Sequence, residues 1–319
     1  MSDREDSKQT SPGEILANFR LFNGKRKFLL CCLLSFAAVG YSHAQIEVQD
    51  DMGNTVQLRL PAQRIVSLAP HITEMLYAAG AGDKIVATTQ FSDFPLQANA
   101  IPIIGSNKDI SYESLLSLNP DLVIAWASGN GDEIVSRIKS LGLTVFLDEP
   151  REIQDIATSL SRFGQLAGTE DIAMREAQNF MRKLNELRND YSNDGILSVF
   201  YEVWPEPMTT LNGEHLISDI IRLCGGVNIF EELIPLAPVV SMESVLTADP
   251  QVIVVGGIDE ARSDWLDSWQ DWPGLSAVDN QQVHFIPPDL LQRNSPRVIQ
   301  GAEQMCDILT SARAHYSLN

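Results

Sequence analysis

The residues able to do chemistry are few and scattered. Beyond position 44 the chain keeps four histidines, His71, His215, His284 and His315, and none shares the short spacing of a metal-binding pair. A zinc site built from distant histidines is therefore the weakest chemistry on offer, with His71, beside Pro70, its first candidate. His71, Glu74 and Asp93 can be drawn as an acid–base set. Yet the sequence holds no G-x-S-x-G elbow, no H-E-x-x-H pair and no Walker loop, and an enzyme is not expected. Packing and recognition surface is better represented. Trp126 ends the apolar run DLVIAW (121–126), at the carboxyl end of a strand where α/β proteins form ligand sites, although a structural ring is the competing role. Asp289 and Arg293 stand four apart in PPDLLQRNSPR (287–297), either as a surface pair worth about 0.3 kcal/mol or as two polar arms of a site. Trp265, Trp269 and Trp272 crowd one short segment, where packing is the expected role.

The frame that must position these residues is legible. IEVQDDMGNTVQLRL (46–60) alternates apolar and polar residues around Gly53-Asn54 and predicts a β-hairpin. Behind it RIVSLA (64–69), KIVATT (84–89), DLVIAW (121–126) and LTVFLD (143–148) are short apolar runs separated by helical patterns, the rhythm of parallel βα units. That rhythm returns in LSVFYEV (197–203), QVIVVG (251–256) and QVHFI (282–286), before a last helix over about 296–314. Between the two sets, residues 152–191 lack proline and keep helical spacing. Gly164 and Gly168 are expected to break one helix from a second over 170–191, which would run about 33 Å. The predicted fold is α/β: an N-terminal lobe with a leading hairpin (45–150), a helical connector (151–194) and a C-terminal lobe (195–319).

An internal repeat supports this division. YESLLSLNPDLVIAW (112–126) aligns without gaps on MESVLTADPQVIVVG (242–256), an offset of 130 residues. A serine precedes each copy, Ser111 and Ser241, suited to cap a helix whose first turn carries Glu113 or Glu243. Two lobes of one plan leave a ligand site at their interface.

Length and charge exclude other classes. The 319 residues, 44% hydrophobic, suit two ordinary cores, and a net charge of −19 argues against nucleic acid. Lys25-Arg26-Lys27, the apolar run 28–39 and Ser42-His43-Ala44 spell an export signal over 1–44, cleaved after Ala44. The run is short of the ~20 residues that span a bilayer, so a soluble product is expected. Cleavage removes six Lys/Arg and four Asp/Glu, leaving 17 against 38 and a charge of −21. Cys31 and Cys32 leave with the signal. Cys224 and Cys306 remain, an even pair in an exported chain, as a disulfide or as two buried thiols.

Five segments carry a more specific likeness: RIVSLAPHITEMLYAAG (64–80), FSDFP (91–95), NPDLVIAW (119–126), CGGVNIF (224–230) and SPRVIQGAEQMC (295–306). They resemble the periplasmic substrate-binding proteins of ABC importers for cobalamin, siderophores and haem, and most of all the vitamin B12-binding type. With the hairpin, the likeness spans nearly the whole chain after the signal. It implies two α/β lobes joined by a long rigid helix, the class III plan. It also implies a monomer in the periplasm, without cofactor or resident metal, that captures cobalamin or a related corrinoid and delivers it to an inner-membrane ABC permease. A ferric-siderophore or haem binder of the same fold is the alternative, and a periplasmic hydrolase the remote one. The acidic surface argues against an anionic ferric chelate.

Residue by residue, the resemblance makes Trp126 a ring that packs on the corrin, and Asp289 with Arg293 a polar pair reaching the ligand from the other lobe. Phe91 stands where that type has a contacting tyrosine, keeping the ring and losing the hydroxyl. Asn107 and Ala237 stand where it has tryptophans, and Trp204 and Tyr201 are expected to replace some of that aromatic surface. Glu113 and Glu243 match the lobe-surface carboxylates that dock onto permease arginines, and Cys224 and Cys306 fall on the family's disulfide.

Overall fold

A computed structural model describes residues 45–191, 195–257 and 262–317. The export signal expected over 1–44 lies outside the described residues. The hairpin forms as read: β1 (Ile46–Gln49) pairs antiparallel with β2 (Thr55–Leu58), placing Val48 opposite Val56. Asp50 closes its turn, with Oδ1 accepting from the backbone N–H of Met52 at 3.0 Å and of Asn54 at 2.7 Å.

β3 (Ile65–Ser67), β4 (Ile85–Ala87), β5 (Leu122–Trp126) and β6 (Val145–Asp148) form one parallel sheet in the order β4-β3-β5-β6. β7 (Leu197–Glu202) opens the second lobe and is followed by a small antiparallel ribbon, β8 (Trp204–Pro205) and β9 (Met208–Thr209). β10 (Gly226–Asn228), β11 (Val252–Val255) and β12 (Val283–Phe285) join β7 in a second parallel sheet, ordered β10-β7-β11-β12. The two orders coincide when β3, β4, β5 and β6 are matched to β7, β10, β11 and β12. The repeated segment is thus one helix–strand unit ending at the same position in each sheet. Helices cover both faces of such sheets, which is why β5 and β11 are nearly continuous buried apolar runs.

Two features differ from expectation. Gly225-Gly226 reads as a turn, but only Gly225 turns, at φ 76°, and Gly226 begins the edge strand β10. A Cβ there would meet the Ile221 and Leu309 side chains at 2.8 and 2.9 Å, so this strand is selected for close packing and carries little hydrophobic pattern. In the connector, the helix Asp155–Ala167 runs straight through Gly164, and Gly168 alone breaks the chain, at φ 69°. Gly164 serves instead as a contact point with the next helix, Glu170–Asp190, since a Cβ would lie 2.4 Å from that of Ala173.

Leu160, Phe163, Phe180 and Leu184 of these two helices belong to one hydrophobic core that also takes in Ile65 and Ile72 of the first lobe and Val199, Ile217 and Leu309 of the second. Separate apolar clusters cover the opposite face of each sheet. The lobes are therefore joined through packed side chains. The C-terminal helix Val298–Ser317 is tied by the disulfide Cys224–Cys306 to the end of the helix Leu216–Leu223.

Candidate functional site

A cavity of about 600 Å³ lies between the lobes, within the range of small-molecule sites. The first lobe contributes Pro70, His71, Phe91, Asn107, Lys108 and Trp126, and the second contributes Leu211, His215, Leu236, Ala237, Asp289 and Arg293. Four predicted contacts, Phe91, Trp126, Asp289 and Arg293, thus meet on this cavity. Asn107 and Ala237 also line it, so their small side chains leave open the space that larger rings would fill.

Trp126 ends β5, and its backbone N–H donates to Asn130 Oδ1 at 2.7 Å. Its ring meets His71 edge to face, centroids 5.2 Å apart at 89°. Trp126 Nε1 and His71 Nε2 are both buried without a hydrogen-bond partner. Phe91 projects its ring outward, 74% exposed, from a backbone at φ 66°. A bulky residue in the left-handed region is strained, and such strain concentrates at ligand sites.

The polar wall is organised by a residue that the sequence offered only for acid–base chemistry. Glu74 is 4% exposed and accepts from Arg293 Nη1 at 3.0 Å, from Arg297 Nε at 3.0 Å and Nη2 at 2.9 Å, and from Ser295 Oγ at 2.6 Å. Arg293 also reaches Asp93 at 2.6 Å and Asp289 at 2.9 Å. Burial would raise the Asp93 carboxyl, but the hydrogen bond and charge of Arg293 outweigh it and hold the group below the usual carboxylate range. The Arg297 guanidinium stacks on the Phe94 ring, 4.1 Å from its centroid. One glutamate of the first lobe therefore anchors two arginines of the second. No local signal in the sequence marks this role, because its arginine partners lie 219 and 223 residues away along the chain.

Two histidines, His71 and His215, line the cavity, and burial holds both neutral. Burial, aided by the charge of Arg293, lowers His71 to about 3. Burial and then Arg151 lower His215 to about 4, and its Nδ1 accepts from the Ile217 N–H at 3.1 Å as a helix cap. His284 bonds to Gln282 at 3.1 Å. Among the described residues no group of three or more His, Cys, Asp or Glu could hold a metal ion.

Trp204 and Tyr201, expected to add aromatic surface, are not among the residues lining the cavity. The β8–β9 ribbon turns Trp204 away from the cavity lining, edge-on to Trp265 at 5.3 Å, with Nε1 donating to the Glu206 carbonyl at 3.1 Å. Tyr201 is fully buried within β7. Trp269 is buried too, and donates to the Glu202 carboxylate at 2.7 Å. Glu113 and Glu243 stand exposed in the first turns of the helices Tyr112–Ser117 and Met242–Ala248. Ser111 and Ser241 cap those helices, accepting from Ser114 and Ser244 N–H at 3.3 and 3.2 Å.

Two parallel α/β lobes around one cleft, with aromatic rings on one wall and charged side chains on the other, have the architecture of a two-lobed binding protein. Residues 65–290 match the model of the periplasmic binding protein family, and the chain belongs to that family. It is 37% identical over 253 residues to the vitamin B12-binding protein of Vibrio cholerae, covering 79% of this chain and 91% of that protein. The vitamin B12-binding protein of Yersinia pestis is 36% identical over 261 residues, covering 80% and 90%. The crystal structure of the periplasmic vitamin B12-binding protein BtuF of Vibrio cholerae aligns at TM-score 0.74 and 36% identity, over 79% of this chain and 98% of that one. The haem-binding protein RhuT of Roseiflexus sp. RS-1 shares the fold, at TM-score 0.67 and 23% identity, over 79% and 99%.

Proposed function

We propose that this protein captures cobalamin or a related corrinoid between its lobes in the periplasm and delivers it to an ABC permease of the inner membrane. Phe91 and Trp126 supply ring surface, and Asp289 with Arg293 supplies polar contact from the opposite wall. Glu113 and Glu243 dock one lobe each onto the permease. The carrying observation is the electrostatic state of the cleft. Arg293 is bonded to three carboxylates, Glu74, Asp93 and Asp289, and both cavity histidines are held neutral. Among the described residues of the lining, Lys108 is the remaining cation. A macrocycle rimmed with neutral amides suits such a wall, whereas haem carboxylates or an anionic ferric chelate call for uncompensated positive charge.

One observation favours haem as a second ligand class: His71 lines the cavity as a neutral imidazole, the form that ligates haem iron. Calorimetric titration of the purified protein with cyanocobalamin, haem and a ferric siderophore in parallel separates the two. One-to-one saturation by cyanocobalamin alone is expected. Saturation by haem or the iron chelate, with no heat from cyanocobalamin, overturns the ligand.

A further inference from the structure

We infer that Gly129 and Asn130, together with His71, are positioning residues that set the plane of the Trp126 ring; this rests on the cleft being the ligand site. Gly129 lies inside the short helix Ala127–Asn130, where the backbone has no need of glycine. The ring does need it. A Cβ at Gly129 would fall 1.8 Å from Cε3, 2.1 Å from Cδ2 and 2.4 Å from Cζ3 of Trp126, so the indole lies directly on the glycine backbone. Every other residue type would lift the ring into the cavity or swing it aside.

Asn130 fixes the backbone from which the same ring projects. It is 3% exposed and spends its amide on three backbone groups: Oδ1 accepts from Trp126 N–H at 2.7 Å, and Nδ2 donates to Leu68 O at 3.1 Å and Asn107 O at 3.0 Å. The end of β5 is thereby bonded both to the chain leaving β3 and to the loop that carries Asn107 on the cavity wall. His71 closes the third side with its ring perpendicular to the indole. The fold holds this arrangement although Trp126 Nε1 and His71 Nε2 stay unpaired, and buried polar atoms without partners are rare and destabilising. A ring held this firmly loses little side-chain freedom when a ligand packs on it, so its placement selects for ligands whose flat face fits one plane.

Affinity for cyanocobalamin and fluorine NMR of protein labelled with 5-fluorotryptophan test the inference together. The five tryptophans give five resonances, and Trp126→Phe identifies the one that matters. Gly129→Ala is expected to weaken binding about tenfold or more and to move the Trp126 resonance further than the other four. Asn130→Ala should act in the same direction. In a Trp126→Ala background, neither change should alter affinity by more than about twofold, because the residues act through the ring. Equal losses in the presence and absence of Trp126 overturn the inference, as does a Trp126 resonance that stays in place in both variants. Should cyanocobalamin fail to bind the unsubstituted protein, the ligand assignment falls and the fluorine shifts alone decide the positioning role.

Discussion

The two lobes share one sheet order and differ at an equivalent strand end. β5 ends in Trp126, whereas the matching point after β11 is Gly256, where a Cβ would strike the Tyr201 hydroxyl at 2.0 Å. The first lobe uses that strand end to present a ring to the cleft. The second fills it from its own interior, with Tyr201 and with Gln292, whose Nε2 donates to the Gly256 carbonyl, and it presents Asp289 and Arg293 from a later segment instead. A duplicated frame therefore does not duplicate the site. Its parallel strands fix where a side chain can stand, and the residue at the strand end decides which wall becomes aromatic and which ionic.

The comparison can be broken most forcefully at the covalent tie, which among the described residues belongs to the second lobe alone. Replacing Cys224 and Cys306 by serine together releases a closed loop of about 80 residues, and chain entropy predicts a loss of roughly 4.5 kcal/mol in urea denaturation. A loss below about 1 kcal/mol would mean that the lobe is held by packing alone. Next comes the ionic tie between lobes. Glu74→Gln strips a buried partner from Arg293 and Arg297 and should cost about 3 kcal/mol. Unchanged stability would show that the lobes are joined by the shared core without it.

Trp126→Ala tests the aromatic wall, with an expected weakening of corrinoid binding by about 2 kcal/mol, or roughly thirtyfold, in calorimetry. Unchanged affinity removes the platform. The histidines allow a finer test, because both walls hold one that is neutral. The folded state refuses protons that the unfolded chain accepts from about pH 6.5 downward, toward about 4 at His215 and about 3 at His71. These groups should therefore lower stability as pH falls through that window. His215→Asn, which retains a capping side chain, should flatten the slope between pH 6.5 and 4; an identical slope would remove His215 from the account. The smallest effect on the protein itself is expected at Glu113 and Glu243. Reversing either to lysine should leave corrinoid affinity within about twofold while abolishing import into proteoliposomes. Lost affinity would place these residues in the binding site, and unimpaired import would remove them from docking.

Much of this was legible from local signals. The hairpin, seven of the strands and the connector follow from alternation, β-branched runs and helical spacing, each set within a few residues of chain. The repeat was visible because both copies must cap a helix and bury a strand in the same way. Trp126, Asp289 and Arg293 were singled out because a strand end and a resemblance pointed to them, and all three line the cavity. β10 and the β8–β9 ribbon escaped notice because strands of two or three residues carry no period. That Trp204 lies outside the cavity lining was not legible, because the direction of a side chain on such a ribbon is set by pairing and not by composition.

The sequence by itself determined most of the elements and that two similar lobes follow one another, because these depend on short-range pattern. Only the tertiary structure decided that Glu74 anchors Arg293 across 219 residues of chain, that Gly129 is a seat for an indole and that Phe91 stands exposed at the mouth of the cleft. Charge pairing, ring contact and exposure are properties of neighbours in space, and those neighbours were brought together by a core that runs through both lobes.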